Sequence, residues 1–202
     1  MSELDWAQKY RPSNIDEVIL PSAIKNKLNK IVTEKGGISL LLWGRPGCGK
    51  TTVAQMINPD NTFQINCAIH RSINMVREIE KNGSCFTAAG ERKLVILDEA
   101  ENLLKDAQIA LRGVIEEISI TTDVVMTAND PNKITPALRS RCLPIHFDLT
   151  SDIECRSMAR LRLIEIARLE GKLNYEAEVD KALEENFPDM RRMIKRLQFN
   201  LN

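Results

Sequence analysis

The sequence predicts an α/β fold in which a five-stranded parallel sheet flanked by helices is followed by a small three-helix domain. Three observations point to this fold class. Helical and strand patterns alternate along the chain from residue 21 to about residue 148. From about residue 150 onwards, every segment has helical spacing. A chain of 202 residues is also long enough for one sizeable core and a small second domain, which we place at residues 1–149 and 150–202.

Short apolar runs supply the five predicted strands. The first run, ISLLLWG, is bounded by glycines and follows SAIKNKLNKIVTEKGG, an amphipathic segment that stops at a glycine pair. The other strands are predicted at TFQIN, KLVILDE, DVVMTAN and PIHFDL. Helices are predicted at GKTTVAQMI, RSINMVREIEKNG and DAQIALRGVIEEI, between these strands. Such an alternation is typical of a parallel sheet covered by helices.

Three helices are predicted after the last strand. They are DIECRSMARLRLIEIARLEG, NYEAEVDKALEENF and PDMRRMIKRLQFNLN, with breaks at Gly171 and Pro188. Because the apolar strand runs cease before them, we assign these helices to the second domain.

Composition places the chain among ordinary globular proteins. Hydrophobic residues make up 43% and charged residues 28% of the sequence. No apolar run approaches 18 residues, and the opening segment MSELDWAQKYRPS has no apolar core of a secretory signal. We therefore expect no membrane partner and a cytoplasmic location, in the host cytoplasm if the protein is viral. The scattered cysteines lack the spacing of a zinc site and are expected to be reduced thiols: Cys48, Cys67, Cys85, Cys142 and Cys155.

The charge balance does not indicate a strongly basic nucleic-acid binder. Lysine plus arginine and aspartate plus glutamate each number 28. A DNA contact would therefore have to come from a local patch or from several copies acting together.

A glycine-rich loop is the strongest functional signal. GRPGCGKTT fits the pattern G-x-x-x-x-G-K-[ST] from Gly44 to Thr51, between a predicted strand and a predicted helix. Glycines let the backbone N–H groups and the helix N-terminus converge on phosphate oxygens. Lys50 would reach the β- and γ-phosphates, and the Thr51 hydroxyl would bind Mg²⁺. The alternative is a glycine-rich connecting loop without a ligand.

Polar residues follow two other predicted strands. Asp98 and Glu99 end KLVILDE, where Asp98 would hold Mg²⁺ and Glu99 could serve as the general base for an attacking water. Asn129 ends DVVMTAN and could orient water or contact the γ-phosphate. The alternatives are acidic residues in a surface turn and an asparagine that forms a turn before Pro131.

These motifs together resemble those of a known family. KYRP at residues 9–12, GRPGCGKTT, LDEAE, TAN and SRC occur in the order and spacing of the AAA+ ATPase subunits of sliding-clamp loaders. The chain is similar both to the small subunits of replication factor C and to the bacteriophage clamp-loader ATPase subunit, over about residues 5 to 200. The resemblance implies the AAA+ P-loop NTPase fold, with the three C-terminal helices as a lid.

The resemblance also implies roles for individual residues. Lys50 and Thr51 match the Walker A pair, Asp98 and Glu99 the Walker B pair, and Asn129 the first sensor. The adenine pocket is expected to involve Tyr10, Arg11, Pro12 and Val18, although Tyr10 could simply pack in a tethered N-terminal loop. The phosphate cradle is expected to comprise Gly44, Pro46, Gly47, Cys48, Gly49, Lys50, Thr51 and Thr52.

Arg191, in FPDMRR, matches the second sensor of the family and is expected over the phosphates. Pro188 suits the first turn of a helix, so Arg191 would lie near a positive helix N-terminus, where a nearby anion would stabilise it. The alternative is a solvated basic face comprising Arg191, Arg192, Lys195 and Arg196.

Two arginines flank Ser140 in ITPALRSRC. Thr135 and Pro136 suit the N-cap and first position of a short helix, which would place Arg139 and Arg141 near its end, where a cation is favourable. By resemblance, Arg141 is an arginine finger that acts in trans on the ATP of a neighbouring subunit. Arg139 is expected to be a supporting surface charge.

The segment NCAIHRSINMVRE resembles the family's DNA-facing helix. Its candidate phosphate contacts are Arg71, Ser72 and Arg77, although Ile69 and His70 stand where an acidic residue is common. By resemblance, Gln108 couples DNA binding to the Walker B geometry; the alternative is an exposed polar residue on a helix.

The resemblance implies a DNA-stimulated ATP hydrolase that works in an oligomer. ATP and Mg²⁺ are the expected cofactors. The expected partners are other AAA+ subunits, forming a homo- or hetero-oligomer of pentameric spiral type, together with a sliding clamp and primer-template DNA. Because the chain ends at LQFNLN, we expect it to lack the helical collar domain of clamp-loader subunits. Two alternatives remain: another DNA-remodelling AAA+ ATPase, such as a helicase loader or branch-migration motor, and a scaffold subunit that binds nucleotide without turnover.

Overall fold

A computed structural model describes residues 5–34 and 36–201. Five strands form one parallel sheet in the order β2-β3-β4-β1-β5, which confirms the predicted α/β class. The strands are β1 (Ser39–Gly44), β2 (Thr62–Asn66), β3 (Lys93–Asp98), β4 (Thr122–Ala128) and β5 (Leu143–Phe147).

Helices cover both faces of the sheet and follow it. They are α1 (Trp6–Lys9), α2 (Ser22–Glu34), α3 (Lys50–Ile57), α4 (Ile73–Gly83), α5 (Lys105–Ile118), α6 (Pro136–Arg139), α7 (Ile153–Leu169), α8 (Glu176–Asn186) and α9 (Met190–Leu201). The sequence pattern did not predict α1, because four residues are too few to show a helical period. The proposed division at residue 149 lies between β5 and α7 and stays a prediction.

Three predicted helix starts, those of α4, α8 and α9, are wrong by two residues. Helix α8 begins at Glu176 and not at Asn174. Helix α4 begins at Ile73 and not at Arg71, since Ser72 has the extended backbone of an N-cap residue. Helix α9 begins at Met190, so Pro188 lies outside its first turn. Asp189 directly precedes α9, and its carboxylate caps the helix by accepting a hydrogen bond from the backbone N–H of Arg192 at 2.9 Å.

The register of the parallel strands fixes where the site lies. Trp43 in β1 pairs with Ala128 in β4, and Leu97 in β3 pairs with Met126 in β4. The residues that follow these pairs therefore emerge together at the carboxyl edge of the sheet. All seven residues of β4 are buried, as expected for a central strand with helices on both faces.

Two apolar clusters occupy the two faces of the sheet. On one face, Leu41, Val95 and Val124 pack with residues of α4 and α5. On the other face, Leu40 and Leu42 belong to a cluster that also contains residues of α7, α8 and α9. The C-terminal helices therefore share a core with the sheet. Within the described part of the chain, no helix is long and apolar enough to cross a membrane.

Two glycines offer a test of this packing. A Cβ on Gly83, at the end of α4, would lie 3.0 Å from Ile118 Cδ1, whereas a Cβ on Gly113 in α5 would meet no atom within 4 Å. We expect Gly83→Ala to lower the free energy of unfolding by about 1–3 kcal/mol through overpacking. The control Gly113→Ala is expected to raise it by about 0.4–1 kcal/mol, because alanine restricts the unfolded chain. Chemical denaturation measures both; equal effects would contradict the close approach of α4 and α5.

Candidate functional site

The glycine-rich loop connects β1 to α3 and has a backbone that other residues would strain. Gly44 has φ +149°, and a Cβ there would lie 2.7 Å from the Phe147 carbonyl oxygen. Gly47 has φ +71°. Helix α3 then starts at Lys50, after Gly49, which has no side chain to cap it. The first N–H groups of α3 are thus available to an anion, as the motif predicts.

Lys50 lies at the centre of the loop and is only 8% exposed. Its ammonium donates to the carbonyl oxygens of Gly44 and Arg45, each at 2.8 Å, and to Asn129 Oδ1 at 3.0 Å. Three oxygen acceptors match the three N–H donors of an ammonium, which offsets the cost of burying its charge. The structure thereby brings together Lys50 and Asn129, which are 79 positions apart in the sequence.

Thr51 contacts the carboxylate at the end of β3. Its hydroxyl donates to Asp98 Oδ1 at 2.8 Å. A second hydroxyl, that of Thr127 in β4, donates to the same oxygen at 2.5 Å. Hydroxyl and carboxylate oxygens are hard ligands of the kind that Mg²⁺ prefers, so this donor set fits the expected metal.

Glu99 follows directly and has an uncommon backbone conformation. Its φ of +56° lies in the left-handed region, which is costly for a residue with a side chain. Its backbone N–H donates to the Thr127 hydroxyl at 3.1 Å. Its carbonyl accepts the backbone N–H and the side-chain amide of Asn102, at 3.0 and 3.2 Å. Hydrogen bonds on both sides of the residue thus stabilise this conformation.

Asn129 has a second partner, Glu101. Glu101 Oε1 accepts both the backbone N–H and the side-chain amide of Asn129, at 2.9 and 3.0 Å. This leaves Asn129 Oδ1 directed at Lys50. The other oxygen of Glu101, Oε2, is buried without a hydrogen-bond partner among the described residues.

A cavity of about 140 Å³ lies between the glycine-rich loop, the N-terminal segment and the C-terminal helices. Among the predicted residues, it is lined by Tyr10, Arg11, Pro12, Val18, Gly47, Cys48, Gly49, Lys50, Thr51, Thr52 and Arg191. The sequence did not predict Ala7, Gln8, Glu17, Ile19, Arg162, Met190 and Ile194, which complete its wall. Pro46 and Gly44 belong to the loop but do not line the cavity.

The N-terminal segment is tied to helix α7 beside this cavity. The Tyr10 hydroxyl donates to Glu170 at 2.7 Å, and Lys9 donates to the same carboxylate oxygen at 2.8 Å. The hydrogen bond from Lys9, together with that from Tyr10, lowers the pKa of the Glu170 carboxyl. Arg162 donates to the Tyr10 carbonyl at 3.3 Å, and Arg11 donates to the Thr52 hydroxyl at 3.1 Å. Tyr10 is therefore both a tether and part of the cavity wall.

The start of α9 contacts the glycine-rich loop directly. The backbone N–H of Met190 donates to the Gly47 carbonyl at 3.2 Å. A Cβ on Gly47 would lie 1.8 Å from Asp189 Oδ1, so only glycine permits this approach. Arg191, the second residue of α9, is exposed and lines the cavity.

Comparisons with known proteins agree with this geometry. Residues 40–149 match the model of the ATPase family associated with various cellular activities (AAA). The chain belongs to the AAA ATPase family. Proteins of this family bind ATP, usually with Mg²⁺.

The chain is related to replication factor C small subunits. It is 36% identical to replication factor C small subunit 1 of Pyrobaculum arsenaticum, over 98% of this chain and 62% of that protein. It is 35% identical to the replication factor C small subunit of Thermofilum pendens, over 98% of this chain and 63% of that protein. The chain thus spans less than two thirds of the length of these relatives.

A solved structure of Thermotoga maritima RuvB has the same fold. It superposes with a TM-score of 0.76 at 20% identity, over 93% of this chain and 64% of that chain. At this identity the likeness supports the AAA fold alone.

Arg141 does not line the cavity beside the glycine-rich loop. It lies just after the end of α6 and before the edge strand β5. It is exposed and forms an ion pair with Glu116 of α5. Arg139, the last residue of α6, is 3.5 Å from Asn132 Oδ1. Neither arginine lines the cavity.

Gln108 is buried, so the alternative of an exposed helix residue is wrong. Its amide donates to the Leu103 carbonyl at 3.1 Å and to the Lys133 carbonyl at 3.2 Å, and its carbonyl accepts the Thr135 N–H at 2.7 Å. One side chain therefore connects the segment after Glu99, the segment after Asn129 and the start of α6.

The three DNA candidates are exposed and do not line the cavity. Arg71 donates to the Asn102 carbonyl at 3.1 Å and so contacts the segment that follows Glu99. Ser72 precedes α4 and Arg77 lies on it.

Thr127, Glu101 and Asp189 stand inside the motifs TAN, LDEAE and FPDMRR, but the sequence analysis assigned no role to them. Their place in these motifs, close to Asn129, Asp98 and Arg191, is the signal that could have identified them.

The contact between Gly47 and Asp189 can be tested. Gly47→Ala and the control Gly171→Ala, at φ +66°, both place a Cβ in a left-handed conformation that costs about 1–2 kcal/mol. The Cβ at position 171 meets no atom within 4 Å, so we expect only Gly47→Ala to lower ADP affinity as well. Adding Asp189→Ala to Gly47→Ala should recover part of this affinity, because it removes the overlapping carboxylate. Isothermal titration measures these affinities; equal losses in both glycine variants would contradict the contact.

Proposed function

We propose that this chain is the ATPase subunit of a sliding-clamp loader, which hydrolyses ATP to ADP and phosphate in an oligomer and places a clamp on primed DNA. The similarity to replication factor C small subunits over 98% of the chain supports this assignment. We also propose that residues 1–149 bind the nucleotide and that residues 150–202 form a lid.

The observation that carries the proposal is the meeting of two hydrogen-bonded groups of side chains at the carboxyl edge of the sheet. Lys50 contacts Asn129, while Asp98 accepts hydrogen bonds from the hydroxyls of Thr51 and Thr127. Glu99 is held beside them through its N–H. Phosphate binding, metal binding and base catalysis would each find a suitable side chain within these two groups.

In the proposed mechanism, the backbone N–H groups of the glycine-rich loop and the Lys50 ammonium bind the β- and γ-phosphates. Lys50 would exchange one of its present carbonyl acceptors for a phosphate oxygen. Thr51 and Asp98 would hold Mg²⁺, which neutralises phosphate charge when bound. Glu99 would orient the attacking water and accept its proton, and Asn129 would help to position that water.

Residues on the other side of the cavity would bind the rest of the nucleotide. We propose that Tyr10, Arg11, Pro12 and Val18 contact the adenine, since all four line the cavity. Arg191 would contact the phosphates from the first turn of α9. Its location near a helix N-terminus favours an anion beside it.

Two surfaces are proposed to link the subunit to partners. Arg141 would act in trans on the ATP of a neighbouring subunit, because it lies beside the edge strand β5 and outside its own cavity. Arg71, Ser72 and Arg77 would contact DNA phosphates. The three backbone bonds of Gln108 join the segment after Glu99, the segment after Asn129 and the start of α6. Arg71 contacts the first of these segments through the Asn102 carbonyl, which supports a coupling role for Gln108.

ATPase measurements with primed DNA, with and without the cognate clamp and partner subunits, test the function. We expect both additions to stimulate hydrolysis. The variant Glu99→Gln is expected to retain ATP binding, lose turnover and remain bound to DNA, because the amide cannot accept the proton. Stimulation by single strands or junctions with no effect of a clamp would instead favour a DNA-remodelling ATPase. Binding without turnover in every mixture would favour a scaffold subunit.

Arg141→Ala tests action in trans. We expect unchanged ATP affinity but a loss of stimulated hydrolysis on the order of 10³-fold, as for other arginine fingers. The control Arg139→Ala removes a neighbouring surface charge and should leave the rate unchanged. Mixing Arg141→Ala chains with Lys50→Ala chains should restore part of the activity, because one partner retains the phosphate site and the other retains the finger. Full activity of Arg141→Ala alone would reject the assignment.

A further inference from the structure

The Thr127 hydroxyl contacts both acidic residues of the proposed catalytic pair. It donates to Asp98 Oδ1 at 2.5 Å and accepts the backbone N–H of Glu99 at 3.1 Å. We propose that Thr127 is a positioning residue, which orients the metal-binding carboxylate and the general base relative to each other. This inference rests on the proposed ATPase function.

The position of Thr127 makes it suited to this role. It lies near the end of the central strand β4, next to β3, and is 2% exposed. Because β4 is buried along its whole length, the hydroxyl has little freedom to move. A buried hydroxyl also needs hydrogen-bond partners, and Asp98 and Glu99 supply them.

The direction of the two bonds determines what Thr127 can do. A hydroxyl has one proton to donate and two lone pairs to accept with. Asp98 can only accept when ionised, and the Glu99 N–H can only donate. Thr127 is therefore able to satisfy both at once, and valine, with the same shape, can satisfy neither.

The bond to Glu99 stabilises a backbone that would otherwise be unfavourable. The left-handed φ of +56° redirects the chain immediately after β3 and thereby sets where the Glu99 side chain begins. Asn102 holds the carbonyl side of this residue, and Thr127 holds the N–H side. Loss of the Thr127 acceptor leaves only the carbonyl side fixed.

The bond to Asp98 is distinct from the bond that Thr51 makes to the same oxygen. Thr51 is itself a proposed Mg²⁺ ligand, so a metal would compete for its hydroxyl. Thr127 comes from another strand and is not a proposed ligand. It is thus able to keep the Asp98 carboxylate oriented whether or not the metal is bound, as partners of metal ligands commonly do.

Three variants separate positioning from general stability. Thr127→Val removes both hydrogen bonds, and Thr127→Ser keeps the hydroxyl. The control Thr122→Val makes the same change on the same strand, at a residue that is also 2% exposed, but its hydroxyl donates to the distant Gly83 carbonyl at 2.8 Å. Thermal unfolding of all three establishes that they remain folded and how far each is destabilised.

Kinetics in the complete ATPase assembly provide the first readout. We expect Thr127→Val to lower kcat by about 10–100-fold, with KM for ATP within about threefold of the wild type, because the residue acts through Asp98 and Glu99. Thr127→Ser should recover most of kcat, and Thr122→Val should resemble the wild type. A kcat for Thr127→Val no lower than that of Thr122→Val would overturn the proposal.

Two measurements do not depend on turnover. Amide hydrogen exchange at Glu99 in the nucleotide-free chain should be about tenfold faster in Thr127→Val than in Thr122→Val, because the N–H loses its acceptor. Binding of Mn²⁺ in the presence of ADP, followed by electron paramagnetic resonance, should weaken about tenfold in Thr127→Val alone. Unchanged exchange at Glu99 would also overturn the role. If the wild-type assembly hydrolyses no ATP, the proposed function fails, whereas these two measurements still decide the role of Thr127.

Discussion

The parallel pairing of β4 between β1 and β3 brings the residues of the candidate site together. It aligns the ends of three strands that are far apart in the sequence, so that Gly44, Asp98 and Asn129 emerge at one edge. Because β4 is buried on both faces, a one-residue shift in its register would move every side chain into the core on the opposite face, where its neighbours differ. The packing of the core therefore also fixes the geometry of the site.

Polar groups that converge at a buried edge need partners, and this requirement explains most of the contacts there. An isolated buried ammonium would be costly, and Lys50 avoids that cost with three oxygen acceptors. Asp98 likewise accepts two hydrogen bonds from hydroxyl groups. The left-handed Glu99 is a local cost that surrounding hydrogen bonds offset, which is the usual condition for strain at a functional site.

The C-terminal helices complete the cavity through a different kind of interaction. They share an apolar core with one face of the sheet, and polar contacts at Gly47, Tyr10 and Glu170 fix their approach to the loop. One proposed participant is absent from this cavity, since Arg141 lies beside the edge strand and pairs with Glu116 in the single chain. The proposed enzyme therefore needs a second subunit. The ion pair between Arg141 and Glu116 would have to open when Arg141 reaches a neighbour.

Sequence reasoning correctly predicted the α/β class and the five strands, and it indicated the glycine-rich loop as a candidate phosphate site. Hydrophobic periodicity indicates which side of a segment is buried, and the pattern of GRPGCGKTT between a strand and a helix is typical of phosphate binding. Both signals lie within short stretches of sequence, so a single chain is enough to recognise them. Very short helices and exact helix starts were harder to predict, as α1 and the start of α9 show. Three-dimensional packing was needed to show that Gln108 is buried, that Thr127 and Glu101 bond to Asp98 and Asn129, and that Asp189 rests against Gly47. These contacts join residues on separate elements, and their existence depends on strand register and helix packing, which no local pattern specifies.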